Sequence, residues 1–309
     1  PAAGSTRPSS RSRSRPPPEA PDHGMTIWRF DAIGTLWEIE TSHELGADDR
    51  ERVGAEIERF DREWSRFRED SSVTRVGREG GSISSPDAGA MLDAYRDLSR
   101  ASSGAVNPLV AESLDALGYD ASYSLVASSP IAAPADWTDR VRWTAGEATA
   151  SAPALLDVGA LGKGRLVDLV AGVLADVPGD LVVDAGGDMR VRGDVVRVGL
   201  EHPYAPTKAI GVIELQDAAL CASAINRRAW GDGLHHVLDA RTGVPVRAWA
   251  ATWAIAPEAM RADAVATALF FDGGPELAAS WGVEWVRMTT DGRAERSPGC
   301  PAQLFTTRR

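Results

Sequence analysis

From Thr26 to Thr41 the chain reads TIWRFDAIGTLWEIET, with apolar and polar residues alternating on both sides of Gly34. That is the pattern of two strands or of one bent strand. In the following GADDRERVGAEIERFDREWSRF the period changes, and Val53, Ile57, Phe60, Trp64 and Phe67 fall near the spacing of one helical face. The charges on the other face read as a solvated surface. Ser71 and Ser72 interrupt this helix, and SPDAGAMLDAYRDLSRAS carries a cap signal followed by another helix. Residues 121 to 154 have little pattern and predict loops and short strands.

The segment LLDVGALGKGRLVDLVAGVL, residues 155 to 174, reads in three parts. Leu155, Leu156 and Val158 predict a short strand, Gly159 to Gly164 an open turn, and Leu166, Val167, Val170 and Leu174 a helical stripe. Strand-like runs punctuated by glycine follow, and ATWAIAPEAMRADAVATALFF gives a strand and a final helix. Strands thus come in adjacent groups with helices between the groups, which predicts an α+β domain over residues 25 to 309. No GxGxxG links a strand to a helix, and no repeat of fixed period is present.

Composition sets limits on partners. Residues 1 to 24, PAAGSTRPSSRSRSRPPPEAPDHG, have almost nothing to bury and predict a disordered tail. The tail has no apolar h-region, so the chain as written is expected in the cytoplasm; an exported location stays open if the N-terminus is incomplete. Met25 is a candidate start. The tail carries +2 and the remainder −13 of the net −11, which argues against nucleic acid or an anionic membrane as the main partner. No apolar run approaches the roughly 18 residues of a membrane span. Cys221 and Cys300 fit no zinc or redox spacing. The ten tryptophans lie mostly in apolar or alternating runs and predict core packing.

Several short signals point to chemistry. Lys163 is one of two lysines beside 31 arginines and sits between two glycines, where a compact ammonium in a tightly approached turn is indicated. A Gly-rich turn feeding a helix offers free N–H groups to a phosphate, although the spacing is not that of a P-loop, and a plain strand-to-helix turn fits equally. Asp263 and Thr267 are four apart in MRADAVATALFF and share a helix face. A carboxylate and a hydroxyl are hard ligands suited to Mg²⁺; an ordinary helix-start Asp with a back-bonded Thr is the alternative. His235 and His236 are adjacent in a strand-like LHHVLD, so they should face opposite sides. One is a candidate general base, and a satisfied core histidine is the other reading. VDAGGDMRV suggests close backbone approach to a ligand or a β-turn.

Taken in order, AIGTLWEI, FDREWSRFREDSSVTRV, GAVNPLVAESLDALGYD, LDVGALGKGRLVD, LVVDAGGDMRVRG, VGLEHP, HHVLDARTG and ADAVATALF resemble the motifs of the FAD:protein FMN transferase (ApbE) family. The resemblance covers nearly all of residues 26 to 309 and implies a single T-fold-like α+β domain with antiparallel-rich sheets and packed helices. It further implies Mg²⁺-dependent transfer of FMN from FAD to a threonine or serine hydroxyl of a target flavoprotein, with release of AMP. By position, the carbonyl of Gly162 with Asp263 and Thr267 would hold the metal, and His236 would take the acceptor proton. Ile33 and Phe67 would pack on the flavin rings, while Val106, Asn107, Gly159, Lys163, Arg165, Val237 and Ala266 would line the FAD site. Two departures, Ala222-Ser223-Ala224 for Thr-Ser-Gly and Ala240 for proline, leave two other readings open. These are an FAD pyrophosphatase giving FMN and AMP, and a non-catalytic FAD-binding protein.

Overall fold

The structure, a computed structural model, describes residues 24–305, so all but the last residue of the 1 to 24 tail lies outside the described residues. Its frame is an eight-stranded sheet in which every neighbouring pair is antiparallel. Across the sheet the strands run Thr26–Ala32, Thr35–Thr41, Leu181–Asp184, Asp188–Arg192, Ala219–Ala224, Trp249–Ala256, Glu284–Thr289 and Ala294–Arg296. The fold is α+β, as the grouping of strands predicts.

Alternation along these strands feeds two cores. Val183, Ala219, Cys221, Ala254, Ala256 and Trp285 face the helices, packing with Val53, Ile57, Phe60 and Leu166. Their neighbours Val182, Leu220, Trp253 and Val286 enter a second core, with Leu200, Ile213 and Leu215 from the three-stranded sheet formed by Val196–His202, Ala205–Leu215 and Gln303–Leu304. The central strands of the eight-stranded sheet are therefore buried on both sides, while the edge strand Ala294–Arg296 is exposed. Among the described residues, no helix is long and apolar enough to cross a membrane.

Three local expectations are corrected. The first helix, Ala47–Trp64, stops before Phe67, which lies in the following turn. Residues 155 to 158 form no strand, because the Asp157 N–H is taken by Pro108 O at 2.7 Å rather than by a ladder. Four helices escaped the sequence reading: Ser72–Glu79, capped by Ser71 Oγ accepting from Thr74 N, the short Ala111–Ala116 and Trp137–Arg140, and Gly274–Trp281 after the expected last helix.

Two of the remaining helices, Gly162–Val173 and Ala259–Ala268, meet where small residues permit it. A Cβ added to Gly164 would stand 2.3 Å from Ala259 O and 2.7 Å from Asp263 Cβ. The Asp168 carboxylate, from the first helix, accepts the N–H groups of Ala259 and Met260 at 2.9 Å each and so caps the second. Gly164→Ala should cost about 3 kcal/mol or more in denaturant unfolding, since the overlap is with backbone. Gly172→Ala in the same helix meets open space and should be neutral or slightly stabilising, which provides the control.

Candidate active site

Because Gly164 admits the Ala259–Ala268 helix so closely, its N–H donates to Asp263 Oδ2 at 2.9 Å. Asp263 is 4 % exposed and carries Thr267 one turn further on, the two on one helix face as their spacing predicts. Asp188, fully buried, stands beside Asp263, and Lys163 Nζ lies 2.8 Å from Asp188 Oδ2 and 3.0 Å from Ala185 O. Burial first, and the Asp188 charge second, push the Asp263 carboxyl well above its usual range. Burial would lower Lys163, but Asp188 and Asp263 more than offset it and hold the ammonium above its ordinary value. Asp188 and Asp263 thus share one ammonium in a place poor in water, and a divalent cation would favour the ionised form of both. The Thr267 hydroxyl makes no hydrogen bond among the described residues and is available as a second hard oxygen. The donor set fits Mg²⁺.

The Gly-rich turn behaves differently from the open phosphate cradle that the sequence suggests. Gly162 N already donates to Val158 O at 2.7 Å, Gly164 N to Asp263, and Arg165 N to Leu161 O at 2.9 Å. Only part of the helix N-terminus is left for an anion. Gly159 N is held by Asp157 Oδ1 at 2.7 Å, and the Arg165 guanidinium by the buried Asp87.

His235 and His236 do not share a regular strand, since the strand Leu234–His235 is two residues long and the chain bends at His236. His235 is anchored: its Nε2 lies 2.9 Å from Val246 O, and its Nδ1 accepts Val237 N–H at 3.3 Å. His236 Nδ1 is occluded from solvent and has no hydrogen-bond partner among the described residues. Burial, then the neighbouring Arg228 and His235, push the His236 imidazole down to about 3. Burial keeps this imidazole neutral at physiological pH.

A pH consequence follows with a definite sign. The unfolded chain binds a proton at His236 below the ordinary value near 6.5, and the folded chain does so only near 3. Stability from this group is therefore full above pH 6.5 and is lost as pH falls towards 3. The raised Asp263 works in the opposite direction, so the comparison must be with a variant. His236→Gln should gain on wild type by on the order of 2 kcal/mol between pH 7 and 4.5. Parallel unfolding curves across that range would refute the shift.

Next to Arg228, whose carbonyl accepts the His236 N–H and whose guanidinium lies 5.8 Å from the Tyr119 ring, stands an aromatic wall that sequence reading largely missed. Phe67 and Tyr123 stack with ring centroids 5.2 Å apart and planes 7° apart; Tyr119 meets both edge-on and stacks on Trp230. Arg66, buried among them, lies 4.2 Å over the Phe67 ring and bonds Asp157 Oδ2 at 2.6 Å and Tyr119 O at 2.8 Å. Ile33 sits in the tight turn between the first two strands with φ 46°, followed by Gly34 at 73°, as a two-residue hairpin turn requires. A β-branched residue there is a local outlier. Val106, Val237 and Ala266 are buried in the main core. Asn107 donates to Pro134 O and accepts from Leu109 N, so both ends of its amide are engaged. Ala240, in place of a proline, donates its N–H to Ala105 O at 3.0 Å, a bond that ties the 105 to 107 loop to the turn after His236 and that proline lacks.

A cleft of about 1300 Å³ is lined by Arg96, Arg100, Trp137, Trp143 and Arg241 and is reached by Asn107, whereas Asp263, His236 and Phe67 are not among its lining residues.

The chain is 31 % identical over 313 aligned residues to a FAD:protein FMN transferase of Rhodobacter capsulatus, which covers 92 % of this chain. This chain spans 59 % of that relative's length. An ApbE protein of Thermotoga maritima superposes with a TM-score of 0.77 at 22 % identity, covering 89 % of this chain and 97 % of the other. The apo flavinyl transferase ApbE of Pseudomonas stutzeri gives 0.73 at 20 % identity, covering 89 % and 95 %. At these identities the two structures speak to the fold. A profile of the ApbE family matches residues 33–286, and on that match the chain belongs to the ApbE family.

Proposed function

We propose that this protein transfers FMN from FAD to a threonine or serine hydroxyl of an acceptor flavoprotein, releasing AMP. The bond between the two phosphates of FAD breaks, a phosphate–oxygen bond forms to the acceptor, and the hydroxyl proton goes to His236 Nδ1. The observation that carries this reading is that nitrogen, buried and without a partner. Family membership and the name of the Rhodobacter relative support the substrate and the class of reaction.

Asp263 and Thr267, with the Gly162 carbonyl, would hold Mg²⁺, which supplies positive charge to the phosphate oxygens when bound. Lys163 positions this set by tying Asp188 and the Ala185 carbonyl to the Gly162–Val173 helix. Ile33 and Phe67 would border the flavin ring, and Val106, Asn107, Gly159, Arg165, Val237 and Ala266 would shape the remaining walls.

Incubation with FAD and Mg²⁺, with and without an acceptor domain, followed by mass analysis, tests the reading. Transfer gives AMP and an FMN adduct on the acceptor. FMN and AMP without an adduct identify a pyrophosphatase, and bound intact FAD identifies a binder; either overturns the proposal.

A further inference from the structure

Tyr123 has no role in the chemistry above, yet it stands between the two residues assigned to the flavin ring. Its ring lies parallel to Phe67, and its hydroxyl reaches within 3.9 Å of where a Gly34 Cβ would be, beside Ile33 in the hairpin turn. A flat ring parallel to Phe67 and spanning to that turn is the posture of a flavin in the same slot.

We infer that Tyr123 is an internal stand-in for the flavin ring, which the 118 to 128 loop inserts when the slot is empty and withdraws when flavin enters. The inference rests on the flavin reading of Ile33 and Phe67. Its support is that the tip is knit to itself: Asp120 accepts from Ser122 N and Oγ and from Ser124 N and Oγ, and Tyr123 N donates to Asp120 O at 3.0 Å, all bonds within the loop. The ends are pinned, Leu125 N to Gly118 O at 2.8 Å and Ser128 N to Ala116 O at 2.7 Å. Between them Tyr123 has φ 51° and Leu125 φ 53°, a left-handed backbone unfavourable to both residue types. Tyr123 is 50 % exposed, and its hydroxyl has no hydrogen bond among the described residues. Stacking is therefore the main attachment of the ring. Withdrawal of the tip as a unit keeps these internal bonds and leaves no buried polar group unpaired, while Phe67 regains a ring from the incoming ligand.

The test is FAD affinity and association rate, followed by flavin fluorescence in EDTA so that no turnover intervenes. Tyr123→Ala should bind FAD about 2- to 10-fold more tightly, the range of one stacked aromatic pair, and faster. Tyr123→Phe, which keeps the ring, should match wild type. Phe67→Ala should weaken binding in either background. Unchanged affinity in Tyr123→Ala overturns the inference. Weaker affinity also overturns it, showing that Tyr123 covers bound flavin instead. If Phe67→Ala leaves affinity unaltered, the flavin slot itself is misassigned, a result distinct from failure of the loop alone.

Discussion

Asp263→Ala should leave a folded protein that transfers no FMN, with turnover down by at least about 10³-fold, the several kcal/mol a metal contributes at a phosphate centre. The substitution removes the charged ligand of the proposed set and one acceptor, that of the Gly164 N–H. It also removes a carboxylate raised by burial and by Asp188, so the loss of that hydrogen bond is offset by relief of repulsion, and the melting temperature should change little. Asp263→Asn, which retains an acceptor for Gly164 and lacks the charge, should be equally inactive. Wild type in excess EDTA should behave like either variant. Full transfer under chelation would overturn the metal assignment, and a collapsed melting transition in both variants would reassign Asp263 to the fold.

His236→Ala should reduce FMN transfer by roughly 10²-fold or more while FAD binding holds, because a hydroxyl attacks poorly until its proton has an acceptor. The imidazole held down to about 3 is a weak base while the site is closed, and the approach of an anionic diphosphate would stabilise its protonated form. Its basicity is thus gained with the substrate, and the rate at limiting FAD should show no acid limb near pH 6.5 from this residue. His235→Ala should instead cost stability, since it removes the ring between Val246 O and Val237 N. If His235→Ala abolished transfer and His236→Ala did not, the base would be His235. If neither mattered, neither histidine would be the base.

Elements whose patterns are local were legible. Val53, Ile57, Phe60 and Trp64 repeat on one helix face and are all buried there, and of the two readings that the alternation around Gly34 allowed, two strands or one bent strand, the structure has the paired strands. Asp263 and Thr267 could be paired from sequence because i and i+4 share a helix face whatever the helix packs against. What escaped depends on distant chain. Arg66 meets Asp157 across 91 positions and Trp230 bonds Leu117 O across 113, so the aromatic wall has no local signature. Asp188 was visible as the end of a Gly-Gly-Asp turn, yet its pairing with Lys163 comes from the helix and sheet meeting. The bend at His236 likewise overrode an alternation that assumes a continuous strand.

The ion pair of Lys163 has a practical side. Of the chain's two lysines, one is locked as an ammonium against Asp188, and the other, Lys208, is exposed on the Ala205–Leu215 strand. Amine-reactive labels need a free, uncharged amine. Apart from the N-terminal amine, they should therefore attach at Lys208, so that a dye or solid support coupled there marks the protein at a defined point on its outer three-stranded sheet.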